Sequence, residues 1–184
     1  HYGTPHIEAE ELHARRAAGE DLVILDSRPL DEFHVMNIPG GIDCPGAELA
    51  ARVHDAAPDP DTLVVVNCAG RTRSIIGAQS LINAAIPNKV VALKNGTMGW
   101  HLAGYELERG QSRKVPPPST ADQSKGQASA QAAAARFGVQ KINRETLAQW
   151  QAEADARTLY VLDVRDPEEY AAGLPGFDAA RFQQ

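Results

Sequence analysis

One stretch of the sequence sets a nucleophile where an α/β protein favours chemistry: Val64-Val65-Val66-Asn67-Cys68-Ala69-Gly70-Arg71-Thr72-Arg73-Ser74. A valine-rich run, the mark of a buried strand, ends directly in a cysteine. A loop with one glycine and two arginines follows, and a helical pattern starts near Ser74. Ligands of open α/β sheets bind at the carboxyl ends of strands, which is where Cys68 falls. The first turn of the following helix offers unpaired N–H groups and its positive dipole end. Successive loop amides can close into an anion-binding nest, and Arg71 and Arg73 add fixed positive charge. All three effects favour thiolate over thiol and point to a cysteine nucleophile at neutral pH.

Such a loop needs a sheet and helices to hold it, and the first 110 residues supply both patterns. Ile7, Leu12 and Ala14 to Ala18 lie in a Glu- and Arg-rich stretch that reads as an amphipathic helix. Leu22–Leu25, Leu63–Val66 and Val90–Leu93 are short apolar runs without alternation. Ala47–Asp55 reads as helical, and Ser74–Ala85 carries Ile75, Ile76, Leu81 and Ile82 at helical spacing. Strands buried on both faces and separated by helices predict an α/β domain with a mainly parallel central sheet flanked by helices.

The composition sets the outer bounds. The chain has 184 residues, 43% of them hydrophobic and 23% charged, with a net charge of −6. At roughly 100–200 residues per domain, this is one domain or one domain and a fragment. The negative balance argues against nucleic acid as the main partner. No apolar run reaches the roughly 18 residues that span a bilayer, so no membrane partner is expected. Two cysteines, neither in a Cys-x-x-Cys pair, exclude a disulfide scaffold and suggest no zinc. Six scattered histidines, His34 and His54 among them, form no ligand cluster, so no metal and no cofactor is expected. A soluble protein of a reducing compartment, the cytoplasm, is the default expectation.

Charge divides the chain into three parts: net −6 over residues 1–110, +3 over 111–137 and −3 over 138–184. The middle part, QSRKVPPPSTADQSKGQASAQAAAARF, reads as a linker, stiff at Pro116–Pro118 and looser beyond, with at most a helical turn at Ala132–Ala135. Around it runs an internal repeat. Leu25-Asp26-Ser27-Arg28, Glu32-Phe33 and Ile38-Pro39-Gly40 return as Leu162-Asp163-Val164-Arg165, Glu169-Tyr170 and Leu174-Pro175-Gly176. At that spacing a second copy of Cys68 would fall beyond Gln184. The sequence therefore predicts a domain over 1–110, a linker over 111–137, and over 138–184 the N-terminal part of a second domain without a cysteine loop. With His1 in place of an initiator Met, it reads as a piece of a longer tandem protein.

The motifs together carry a resemblance. LDSR…EF…IPGG, the CAGRTRS loop, and Asn95-Gly96-Thr97-Met98-Gly99-Trp100 with Ala103-Gly104-Tyr105 resemble the rhodanese superfamily of sulfurtransferases, in the form built from tandem domains. The match covers most of residues 7–108, and 139–176 resembles the opening of a second such domain. The resemblance implies a sulfur transfer through a Cys68 persulfide, from thiosulfate or a similar small anionic donor to a thiophilic acceptor. It implies that Ala69, Gly70, Arg71, Thr72, Arg73 and Ser74 form the substrate-binding loop, with Arg71 and Arg73 attracting the donor anion. A carrier protein is a further candidate acceptor. The alternative is a non-catalytic rhodanese-like module that binds a partner or senses oxidants through Cys68.

Spacing separates this reading from the cysteine phosphatases, some of which are similar in fold. Those place five residues between the cysteine and an arginine, where Cys68 and Arg73 are separated by four. The shorter loop makes a narrower cradle, suited to sulfur rather than phosphate. Asp26 and Arg28 are read as an internal ion pair rather than as catalysts, Trp100 as packing on the sheet, and Cys44 as a small core residue rather than a partner of Cys68.

Overall fold

The computed structural model describes residues 3–117, 119–153, 155–156, 158–163 and 167–172. It divides into two compact units, His1–Val139 and Gln140–Gln184.

The first unit is built on a five-stranded parallel sheet. Its strands are β1 (His6–Ile7), β2 (Leu22–Asp26), β3 (Ile42–Asp43), β4 (Leu63–Asn67) and β5 (Val90–Leu93), in the order β1-β5-β4-β2-β3. All four pairings are parallel. The helices between them are α1 (Ala9–Ala17), α2 (Leu30–Val35), α3 (Leu49–Ala56), α4 (Thr72–Asn83) and α5 (Gly96–Leu102).

The valine run of β4 explains the layering. Side chains alternate across a strand, so Val64 and Val66 enter one core and Val65 the other. The first core joins β4 to Leu49 and Val53 of α3 and Ala78 and Leu81 of α4. The second joins it to Leu12 of α1 and Trp100 of α5. All five β4 residues are buried, as a central parallel strand covered on both faces requires. Each fully buried Val or Leu contributes about 1.5–3 kcal/mol of transfer free energy.

The α/β class, the three apolar strands and the helices over Ala47–Asp55 and Ser74–Ala85 agree with the sequence expectation within a few residues. Ile7 does not belong to the first helix: it lies in β1, paired with Leu93, and the helix begins at Ala9.

The segment read as a linker is more ordered than expected. Val115 is buried in the first core, and its amide donates to the Asp43 carbonyl (3.0 Å). Thr120–Arg136 forms a 17-residue helix, α6, where a single helical turn was expected. Alanine is the strongest helix former, and small residues let α6 lie close on α3. A Cβ on Gly126 would stand 3.4 Å from the Ala51 Cα.

The second unit contains α7 (Arg144–Ala152) and α8 (Pro167–Ala172). The Asn143 side chain caps α7 by accepting from the Thr146 amide at 2.9 Å. Leu162, the repeat counterpart of the fully buried Leu25, is 82% exposed. Val164, Arg165 and Leu174-Pro175-Gly176 lie outside the described residues, as does the Glu169 side chain.

Candidate active site

The site forms where β2 and β4 end side by side, with Asp26 in register with Asn67. Asp26 and Arg28 form the internal ion pair expected of them. Arg28 Nε donates to Oδ1 and Nη2 to Oδ2, both at 2.8 Å, and both side chains are buried. Arg28 Nη2 also reaches the Met36 carbonyl at 2.8 Å, which ties the end of α2 to the strand. Asn67 Nδ2 donates to Asp26 Oδ2 (2.7 Å) and has Thr97 Oγ1 at 2.9 Å. The Ser27 amide and hydroxyl both donate to the Asn67 carbonyl at 2.8 Å. Strand β4 is therefore clamped on its last residue, immediately before Cys68.

Cys68 is 2% exposed, and its loop is held from behind by α5. The amide of Thr97 donates to the Cys68 carbonyl (2.8 Å) and that of Met98 to the Ala69 carbonyl (3.0 Å). This approach requires glycine at 96. Its φ is +56°, and a Cβ there would stand 2.2 Å from the Cys68 carbonyl oxygen and 2.6 Å from that of Gly70. With the carbonyls engaged, the amides of Ala69, Gly70 and Arg71 have no acceptor among the described residues. Helix α4 begins at Thr72 without a side-chain cap, so its first-turn amides extend the same donor set. A loop with its carbonyls turned away and its amides uncommitted is a cradle for negative charge.

The other loop residues take different roles. Ser74 is fully buried, and its hydroxyl donates to the Arg71 carbonyl (2.9 Å), with the Leu93 carbonyl at 3.3 Å. It fastens the loop to β5. Thr72 is exposed at the helix start. Arg73 is committed to Glu32 of α2 by two 2.7 Å hydrogen bonds. That partnership holds the Glu32 carboxyl below its ordinary range and the Arg73 guanidinium above its own. Arg71 has no ion-pair partner among the described residues and lines a cavity with Thr4, His6 and Lys94. The two arginines that look equivalent in sequence are thus one paired and one available.

Cys44 lies in the first core, 0% exposed, and burial pushes its thiol up to about 12. It packs as the small apolar residue it was read to be. Trp100 is buried on the other face, and its indole N–H donates to the Glu106 carbonyl at 2.8 Å. Among the described residues no group of His, Cys, Asp and Glu could hold a metal ion. No helix among them is long and apolar enough to cross a membrane.

Three supports of the site escaped the sequence reading: the Asn67 clamp, the Thr97 and Met98 amides, and Glu32 as the partner of Arg73. Only Glu32 left a signal, since it recurs in the repeat as Glu169.

The model of the rhodanese-like domain family matches residues 8–103. The crystal structure of a thiosulfate sulfurtransferase from Pseudomonas aeruginosa is 57% identical, with a TM-score of 0.86, and the match covers 94% of this chain. The solution structure of a rhodanese-like domain from Anabaena sp. is 25% identical (TM-score 0.51), with 57% of this chain and 79% of that one covered. An HTH-type transcriptional regulator of Mycobacterium tuberculosis is 35% identical over 104 residues, covering 56% of this chain and 45% of the regulator. The chain spans 33% of the Pseudomonas chain and so corresponds to a part of its length. With the family model matching more than half of its residues, the chain belongs to the rhodanese-like domain family.

Proposed function

We propose that the first unit is a sulfurtransferase domain that carries sulfane sulfur on Cys68. The observation that carries this reading is the loop after β4, where the amides of Ala69, Gly70 and Arg71 have no acceptor among the described residues. The 57% identity to a thiosulfate sulfurtransferase supports the same chemistry.

In the first half-reaction the Cys68 thiolate attacks the outer sulfur of thiosulfate. The sulfur–sulfur bond of the donor breaks, and sulfite leaves with its electron pair. The persulfide Cys68–S–S⁻ remains, its terminal charge facing the loop amides and the first turn of α4. In the second, a thiophilic acceptor attacks the outer sulfur and the Cys68 thiolate is regenerated. Two half-reactions through one covalent intermediate give ping-pong kinetics. Arg71 supplies the unpaired charge that draws a dianionic donor, while Arg73 acts through its link to Glu32. No cofactor takes part.

The same proposal treats residues 138–184 as the opening of a second similar domain, on the strength of the sequence repeat, and sets the protein in the cytoplasm. The similarity to a transcriptional regulator supports a second reading, in which Cys68 senses sulfane sulfur or oxidants rather than turning it over.

Steady-state formation of thiocyanate from thiosulfate and cyanide, followed beside intact-protein mass spectrometry of Cys68, decides between them. Transfer requires gain of one sulfur atom on Cys68, its removal by cyanide, and no gain in Cys68→Ser. A free, alkylatable Cys68 that gains no sulfur would refute turnover of thiosulfate.

A further inference from the structure

The cavity that receives Arg71 has a construction of its own. Across the sheet one row of paired residues runs His6, Ala92, Val66, Leu25 and Ile42. Ala92, Val66 and Leu25 all enter the core that α4 covers, so His6 stands on that face at the sheet edge. Alanine in a row of larger residues leaves a hollow. The result is a cavity of about 120 Å³ lined by Thr4, His6, Arg71, Ile75, Ala92 and Lys94.

Its walls differ in character. Ala92 and Ile75 form an apolar floor, and Thr4, His6, Arg71 and Lys94 form a polar rim. Lys94 is already paired with Glu8 at 2.6 Å, and Thr4 Oγ1 donates to Gln79 Oε1 at 2.7 Å. The unpaired charge on the rim is Arg71, whose planar fork suits a carboxylate. Thiosulfate has no apolar part to set against Ala92 and Ile75. A short carbon chain ending in a carboxylate has both halves of the match, and the volume admits about four to six non-hydrogen atoms.

We propose that this cavity is the acceptor subsite, and that it selects small thiols bearing a carboxylate by seating their carbon chain on Ala92 and Ile75 and their charge on Arg71. The inference rests on the sulfurtransferase reading above and adds to it the chemical class of the acceptor. Arg71 belongs both to the loop that follows Cys68 and to the cavity rim. The acceptor thiolate attacks the outer sulfur of the Cys68 persulfide, leaves as R–S–S⁻, and returns the electron pair of the broken bond to Cys68.

Two measurements on the full chain test this. In the first, persulfide-loaded protein is mixed with 3-mercaptopropionate or with uncharged 2-mercaptoethanol, in the wild type and in Ala92→Val, which fills the hollow. In the wild type the KM for 3-mercaptopropionate should lie about ten-fold below that for 2-mercaptoethanol, and Ala92→Val should erase that preference. Equal KM values for the two thiols in the wild type, or a preference that survives in Ala92→Val, would overturn the subsite. The second measurement needs no sulfur chemistry and no variant. Titration with propionate should shift the Ala92 and Ile75 methyl resonances saturably, while 1-propanol should not. Absent or scattered shifts would overturn the subsite even if Cys68 transfers sulfur. Saturable shifts without persulfide formation would keep the carboxylate site and refute its role as an acceptor site.

Discussion

Arg73 and Glu32 face each other across the rim of the Cys68 loop in a two-pronged ion pair, with both N–O distances at 2.7 Å. The pair joins the first turn of α4 to α2, and both side chains remain partly exposed, at 43% and 40%. Its contribution to stability is therefore small, about 0–1 kcal/mol. Its electrostatic consequence is larger, because it cancels one of the two charges that the loop sequence offers to an anion.

Removing that cancellation should strengthen donor binding. Glu32→Gln is expected to lower the KM for thiosulfate several-fold at low ionic strength, with stability changed by no more than about 1 kcal/mol. The gain should shrink in 0.5 M salt, where screening shortens the reach of an exposed charge. Steady-state kinetics at two salt concentrations provide the check, and an unchanged KM at low salt would mean that Arg73 does not face the donor.

Gly96 makes a steric prediction. Gly96→Ala combines a φ of +56° with a Cβ driven to 2.2 Å from the Cys68 carbonyl. The loop must move, and the amides of Thr97 and Met98 lose their acceptors. Persulfide formation should fall at least about ten-fold, with a stability loss of about 1–3 kcal/mol from backbone strain. Mass spectrometry and urea denaturation measure the two effects separately.

Breaking the buried pair behind the loop should act on folding first. Arg28→Met leaves the Asp26 carboxylate buried with its main counter-charge gone. A loss of about 3–5 kcal/mol is expected, readable as a lower denaturation midpoint. A loss under about 1 kcal/mol would show that Asn67 and the surrounding amides satisfy Asp26 alone.

Asp43 predicts a pH dependence of opposite sense to that of a paired carboxylate. It is 1% exposed, neither carboxylate oxygen has a hydrogen-bond partner among the described residues, and burial raises its pKa from 3.8 to about 6. The native state therefore binds the proton more tightly than the unfolded chain. Asp43 costs nothing below about pH 4, and its penalty grows as pH rises to 6 and is complete above it. The cost at neutral pH is about 3 kcal/mol from a shift of this size. Asp43→Asn should be more stable than the wild type at pH 7, and the difference should vanish by about pH 4. Urea denaturation of both proteins across that range is the check.

Cys44 should be inert in transfer. Cys44→Ser buries a hydroxyl in an apolar core and is expected to cost about 1–3 kcal/mol, with persulfide formation on Cys68 unchanged. Loss of turnover in a folded Cys44→Ser protein would instead give Cys44 a part in resolving the persulfide.

Local signals in the sequence were sufficient for the parts of the fold that are local in origin. The runs at Leu22, Leu63 and Val90 read as buried strands because a parallel strand covered on both faces needs apolar residues at every position. The Cys68 loop was legible because glycine, arginines and a helix start follow the cysteine directly. The Asp26–Arg28 pair was legible because its members are two residues apart. Strands β1 and β3, two residues each, carry no period of their own. They exist because β5 and β2 present open edges to be paired, which is why Ile7 was drawn into the neighbouring helix. Helix α6 was hidden by a composition that reads as linker, since its packing on α3 depends on small residues meeting across space.

The chemistry of the loop divides the same way. A cysteine in an amide-rich turn is written in one stretch of eleven residues, and the family follows from it and two further motifs. Which arginine remains free is not written there. Asn67 meets Asp26, and Arg73 meets Glu32, each across 41 positions of chain. Only the parallel register of β2 and β4, and the helices that follow them, brings those side chains within hydrogen-bonding distance. Folding neutralises Arg73, leaves Arg71 beside the hollow at Ala92, and so gives two like residues unlike roles.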